Sequence, residues 1–295
     1  MRRPIDFLVI GAQKSGTSAL VRLLRSHPDV FLPDVKELHF FVRDEFFAQG
    51  DRYLDPFYGE AGDEALLGGG DVDLLYAPAA AGRVHAHNPR MRLLAVLRNP
   101  VDRAYSAFWF ARRLGFEDAA TFEEALAREE ARRRGGYFER HQLTYLDHGH
   151  YAEQLERFLA FFERDRLRVL LSEELRDRPA EQARATLRWL GLRAAPTLED
   201  PGRRVNVAGV PRSLFLQKLL RSDDSWAKRQ LRRVLPRSLR YELMRRVRRP
   251  LMDLNVRPRP YPPMNQATRA RLREHFAPYN RRLGELLGTD LRRWR

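Results

Sequence analysis

Short apolar runs alternate with stretches of helical periodicity along this chain. "DFLVI" (Asp6 to Ile10) is an apolar run that stops at Gly11, and "SALVRLLRSH" follows with Leu20, Leu23 and Leu24 on one side of a predicted helix. "RLLAVL" (Arg92 to Leu97) is a second such run; Pro100 then suits a first helical turn, with "VDRAYSAFWFARR" as the helix body. "LRVLL" (Leu167 to Leu171) is a third. Helical spacing recurs at Tyr151, Leu155, Phe158, Leu159 and Phe162, and again at Leu272, Phe276, Tyr279, Leu283 and Leu286, with Asn265 placed to cap the last helix. Strands alternating with helices predict an α/β fold with a doubly wound parallel sheet flanked by helices. In such sheets ligands gather at the carboxyl ends of the strands.

That rule directs attention to "GAQKSGTSAL" (Gly11 to Leu20), which joins the first strand to the first helix. The first N–H groups of a helix have no intrahelical partner, and the helix dipole favours negative charge there. Gly16 permits close backbone approach, Thr17 and Ser18 offer hydroxyls, and Lys14 adds a full positive charge. The stretch is P-loop-like, but the common triphosphate loop sets its lysine directly after the second glycine, and here Lys14 precedes Gly16. It reads as an anion cradle, or as an ordinary turn with Gly and Ser/Thr in their usual places. The second strand ends in Arg98, where a triphosphate hydrolase would carry an acid for Mg²⁺. An arginine there suits a second phosphate, or else pairs with Asp102 one turn on.

Composition narrows the chemistry. Among 295 residues there is no cysteine, which excludes disulfides, thiolate nucleophiles and thiolate metal sites. The apolar run near the start is too short for a secretory core or a membrane span, so a cytoplasmic protein is expected. The net charge of +15 is concentrated: residues 212–259 hold thirteen Arg and two Lys against four acids.

Two segments together resemble a known family. "PIDFLVIGAQKSGTSALVRLLRSHPDVFLPDVKELHFF" and "LLAVLRNPVDRAYSAFWFARR" resemble the signature segments of the sulfotransferases that use 3′-phosphoadenosine 5′-phosphosulfate (PAPS), in the bacterial and heparan-sulfate-type branch. "HGHYAEQLERFLAFF", "LRVLLSEELRDRPAEQARATLRWLGL" and "FAPYNRRLGELLGTDLRRW" extend the resemblance to most of residues 4–192 and 265–294. It implies a PAPS-dependent sulfotransferase that releases adenosine 3′,5′-bisphosphate (PAP), needs no metal, and acts on a carbohydrate, lipid or small natural product. Lys14, Ser15, Gly16, Thr17 and Ser18 are then the 5′-phosphosulfate loop, Arg98 and Ser106 the 3′-phosphate contacts, and Glu37 of "VKELHFF" the general base, with His39 a second base candidate. Lys36 is expected to balance charge or touch the phosphosulfate. Without that context, Glu37 also reads as a surface acid and His39 as a core histidine.

The pattern is departed from at Gly70 to Tyr76, where many relatives have Gly-Glu-x-[Ser/Thr]-Pro-x-Tyr and this chain has Asp71, Val72, Asp73, Leu74 and Leu75 between them. Asp73 and Tyr76 are expected near the acceptor, and His150 in its cleft. Arg203, Arg204 and Arg212 are expected in a loop closing over the nucleotide. The whole chain is expected to be one domain, with residues 212–259 a basic helical insertion serving as lid or subdomain. Steering of an anionic acceptor is a further reading of that charge, membrane-surface contact a weaker one, and nucleic-acid binding is not expected. Two other functions stay open: a divergent ATP- and Mg²⁺-dependent kinase, and a non-catalytic anion-binding protein.

Overall fold

The computed structural model describes residues 3–193, 209–211, 256–258 and 261–294. Its main sheet has five strands: β1 (Phe7–Gly11), β2 (Val30–Phe31), β3 (Leu66–Gly70), β4 (Arg92–Leu97) and β5 (Leu167–Leu171). They run in the order β2-β3-β1-β4-β5, and every pairing is parallel. Parallel strands need crossovers that cover both faces of the sheet, so the inner segments of the central strands β1 and β4 are apolar. β1 is buried along its entire length. On one face Phe7, Val9, Leu94, Val96 and Leu170 pack with Leu20, Leu23 and Leu24 of the helix Thr17–Arg25 and with Ala183 and Leu187 of the helix Pro179–Trp189. The expected α/β, P-loop-like fold is the observed one, and the strands read from "RLLAVL" and "LRVLL" keep their bounds. The first strand begins and ends one residue later than its apolar run suggests.

The periodicity missed two strands of the sheet, the two-residue β2 and β3, "LLGGG". Glycine in a strand weakens it unless something must approach closely, and here something does. Gly68 is the register partner of Phe7, and a β-carbon on it would lie 2.2 Å from the Phe7 ring; one on Gly69 would lie 2.8 Å from Leu8. The glycines make room for the large side chains of β1.

Two compact units divide the chain. The first comprises Met1–Arg103, Leu146–Val205 and Ala270–Arg295, and the second Ala104–Tyr145 and Asn206–Arg269. The sheet belongs to the first, as does the helix Tyr151–Leu159; Phe162 lies beyond that helix yet is buried. The second has an aromatic core of Phe108, Phe122 and Tyr145, and Trp109 stacks on Tyr261 with centroids 5.6 Å apart. It also carries a short antiparallel pair, β6 (Gly209–Pro211) with β7 (Val256–Pro258). The helix Pro100–Arg113 starts in the first unit and continues in the second. The long helix Gln266–Leu287 is capped as its sequence predicts: Asn265 Oδ1 accepts from the amides of Ala267 at 2.8 Å and Thr268 at 3.3 Å. No helix among the described residues is long and apolar enough to cross a membrane. The basic stretch 212–259 lies outside the described residues, apart from Val256–Pro258, and so do Arg203, Arg204 and Arg212.

Candidate active site

Strand order changes direction between β1 and β4, so the loops leaving their carboxyl ends flank the crevice where this architecture holds ligands. The first is the Lys14 loop. Ala12 N–H donates to Val96 O at 2.8 Å, which pins the loop to β4, and Ser15 N–H turns back to Ala12 O at 3.3 Å. Lys14 (φ 65°) and Gly16 (φ 101°) both take left-handed backbone angles. For lysine that conformation is uncommon and costs about 1–3 kcal/mol; it persists where the surroundings enforce it. Gly16 is the N-cap of Thr17–Arg25, and no side chain caps the helix. Ala19 N–H turns back to Gly16 O at 3.0 Å, and the positive end of the helix dipole faces the loop.

Three cationic side chains come to this loop. Lys14 is part of it. Arg98, at the end of β4, reaches across so that Nη1 donates to Lys14 O at 3.3 Å, and its own carbonyl is held by the buried Tyr151 hydroxyl at 3.0 Å. Burial raises the pKa of Tyr151 and keeps it a neutral donor. Lys36 arrives from the segment after β2: Nζ donates to Thr17 Oγ1 at 3.0 Å and to Glu37 Oε1 at 3.1 Å. Glu37 is thus tied through one ammonium to the first residue of the helix, with 40% of its side chain exposed. It is not sheltered by the neighbouring Phe40 and Phe41, which are buried. Ser106 is half-buried on the helix Pro100–Arg113, within the second unit.

The remaining expected acceptor residues fall into two clusters. Asp73 is almost wholly buried, at 1%, with Oδ2 3.8 Å from His39 Nδ1; Asp71 Oδ2 lies closer to that nitrogen, at 3.0 Å. Burial alone would lower the pKa of His39, but the hydrogen bond to Asp71 and the charges of Asp71, Asp73 and Glu37 raise it to about 9. These three residues are the only group among the described residues with ligand atoms spaced for a metal ion, within 4.8 Å of one another. Asp71, however, already accepts the His39 amide at 2.9 Å and the Asp73 amide at 3.0 Å, and the arrangement is that of a histidine ion pair.

The second cluster holds Tyr76 and His150. Tyr76 donates to Asp147 Oδ2 at 2.7 Å and stacks on His148, and Asp147 Oδ1 lies 3.6 Å from His150 Nδ1. His150 stacks on Tyr279, and its Nε2 meets Nε2 of His275 at 3.2 Å. Burial and the neighbouring His150 lower the pKa of His275. The sequence singled out neither Asp147 nor His275; the latter is one polar position in a helix read for its apolar stripe, and only tertiary packing sets it against His150.

The two signature segments resemble one family, and comparison with known proteins agrees on that family. The family model for the sulfotransferase domain matches residues 4–205. The chain belongs to that family. Sulfotransferase relatives include mouse (Mus musculus) bifunctional heparan sulfate N-deacetylase/N-sulfotransferase 4, 29% identical over 201 residues, covering 63% of this chain and 22% of that protein. Human (Homo sapiens) heparan sulfate glucosamine 3-O-sulfotransferase 6 is 27% identical over 297 residues, covering 98% of this chain and 73% of that one. The chain thus spans about a fifth of the length of the bifunctional relatives it matches. Among solved structures, a sulfotransferase from Alicyclobacillus acidocaldarius superposes with a TM-score of 0.71 at 28% identity, covering 100% of this chain and 99% of that one.

Proposed function

We propose that this chain transfers the sulfuryl group of PAPS to a hydroxyl or amine of an acceptor, of the carbohydrate, lipid or small natural-product class. The observation that carries the reading is Lys36, whose one ammonium bridges the helix N-terminus at Thr17 and the carboxylate of Glu37. It sets a proton acceptor beside a cradle for the donor's phosphosulfate. In the reaction the acceptor's proton passes to Glu37 as its oxygen or nitrogen bonds to sulfur. The bond from sulfur to the bridging oxygen breaks, and its electron pair stays on the phosphate, giving PAP. Negative charge grows on that bridging oxygen, so the helix amides, Lys14 and Lys36 stabilise the transition state more than the ground state. Removing one such donor costs roughly 10²- to 10³-fold in rate. Arg98, with Ser106 by family resemblance, is assigned to the 3′-phosphate that distinguishes PAPS from ATP. The heparan sulfate named for the relatives supports a carbohydrate acceptor.

Calorimetry with PAP and with ATP, each with and without Mg²⁺, tests the reading. PAP is expected to bind without metal and ATP weakly. Tight ATP binding that requires Mg²⁺ overturns the proposal in favour of a kinase, and PAP binding with no transfer to a broad acceptor panel overturns it in favour of a non-catalytic anion-binding protein.

A further inference from the structure

Within the segment "HGHYAEQLERFLAFF", Gly149 and Tyr151 have no part in the chemistry proposed above, yet both lie against the turn from Arg98 to Pro100. The strand pairing of β4 ends at Leu97 with Leu171, so the Arg98 carbonyl is one residue past the sheet ladder. There the hydroxyl of Tyr151, the buried first residue of the helix Tyr151–Leu159, donates to it at 3.0 Å. Burial raises the Tyr151 pKa against the opposing effects of Arg103, Ser15 and Arg98, so the hydroxyl keeps the proton it donates. The Tyr151 ring also meets the buried Trp294 indole at a centroid distance of 6.3 Å, and Trp294 O accepts from Asn99 Nδ2 at 3.4 Å. Two residues earlier, a β-carbon on Gly149 would stand 3.0 Å from Pro100 Cβ and 2.6 Å from the Phe276 ring. The start of this helix is thus packed on the turn at Pro100 and bonded to it at Arg98. From that turn the Arg98 guanidinium reaches back to Lys14 O at 3.3 Å. The long Arg98 chain is therefore held at both ends, and a side chain held in place loses less rotamer freedom when it grips an anion.

We propose that Tyr151 is a positioning residue for recognition of the nucleotide's 3′-phosphate: its hydroxyl, with Gly149 packed on Pro100, fixes the Arg98 backbone so that the guanidinium meets that phosphate already in place. The role rests on the sulfotransferase reading and on its assignment of Arg98; the contacts themselves do not. Tyr151 acts through Arg98 and touches no reacting atom. The 5′ end of the nucleotide is assigned to the Lys14 loop and the 3′ end to Arg98, so loss of one hydroxyl separates the two ends in a binding measurement.

Calorimetry on the full chain with PAP and with adenosine 5′-phosphate, which has no 3′-phosphate, tests the proposal. Tyr151→Phe removes the hydroxyl and keeps the ring. It is expected to weaken PAP binding about five- to tenfold and adenosine 5′-phosphate binding by less than about twofold. In an Arg98→Ala background the same change is expected to leave PAP affinity where it was, because the residue it positions is gone. A partly unfolded population lowers both affinities by one factor and leaves their ratio unchanged, so lost stability does not imitate the result. Gly149→Ala, which crowds Pro100, is expected to lower the ratio in the same direction and decides the question if Tyr151→Phe does not fold. Equal losses for the two nucleotides would mark Tyr151 as a support of the Lys14 loop through Ser15, and would overturn the proposal. An unmoved ratio, or an undiminished effect of Tyr151→Phe in Arg98→Ala, would overturn it as well. A wild-type chain that fails to bind PAP, or binds it no better than adenosine 5′-phosphate, would instead remove the PAPS reading and the role with it.

Discussion

Lys36 donates to two partners that belong to different parts of the proposed chemistry, so its loss has a signature of its own. Lys36→Met removes the ammonium but leaves an unbranched chain of similar length, and the side chain is only partly buried. kcat/KM is expected to fall about 10²-fold while the urea midpoint stays put, and Lys36→Arg is expected to retain part of the activity. Steady-state kinetics with matched denaturation curves check this; an equal fall in stability would mark Lys36 as a packing residue. Residue types announced Lys14, Lys36, Glu37 and Arg98 in the sequence because each stands at a strand end or in a motif. The Lys36 bridge itself was not legible, since it depends on how the segment after β2 folds back over the helix.

At the scale of elements, the second unit contains a buried network that the sequence did not disclose. Glu117 is inaccessible to water, its two carboxylate oxygens bonded by Arg132 at 2.8 Å each and one of them by the Tyr145 hydroxyl at 2.6 Å. Burial works to raise the Glu117 pKa, yet these bonds and the Ala119 amide lower it overall. Stability from this group is therefore present above the unfolded carboxylate value of 4.5 and is lost as pH falls through the lower folded value. Arg132→Met would strand a buried carboxylate, and about 3–5 kcal/mol of stability is expected to be lost. Denaturant unfolding at neutral and acid pH measures both effects: the variant should lose most near neutrality and least where Glu117 is protonated in both states. β4 was readable from local sequence because burial on both faces demands a continuous apolar run. β3 was not, because its three glycines answer to the Phe7 and Leu8 side chains of another strand. The Glu117 network was hidden for a similar reason: charge run and buried pair look alike until the helices pack.

For the whole molecule, the net charge of +15, concentrated in residues 212–259, bears on the reading that an anionic acceptor is steered by charge. Raising salt from low to physiological strength is expected to lower kcat/KM several-fold for a polyanionic acceptor and little for a neutral one, because long-range attraction is screened over about 8–10 Å. Equal salt sensitivity for both would remove steering from the account. The turn that carries Arg98 depends on residues far apart in the chain: the Asn99 side chain donates to Trp294 O, and Glu173 Oε1 receives both the Asn99 amide and the Trp294 indole N–H. During synthesis β1, β4 and the Lys14 loop emerge well before Trp294, so the clasp around Asn99 closes only once residue 294 has left the ribosome. A ribosome stalled before residue 294 is exposed is thus expected to carry a chain with its sheet formed, the proposed Arg98 contact unsupported and its affinity for PAP reduced.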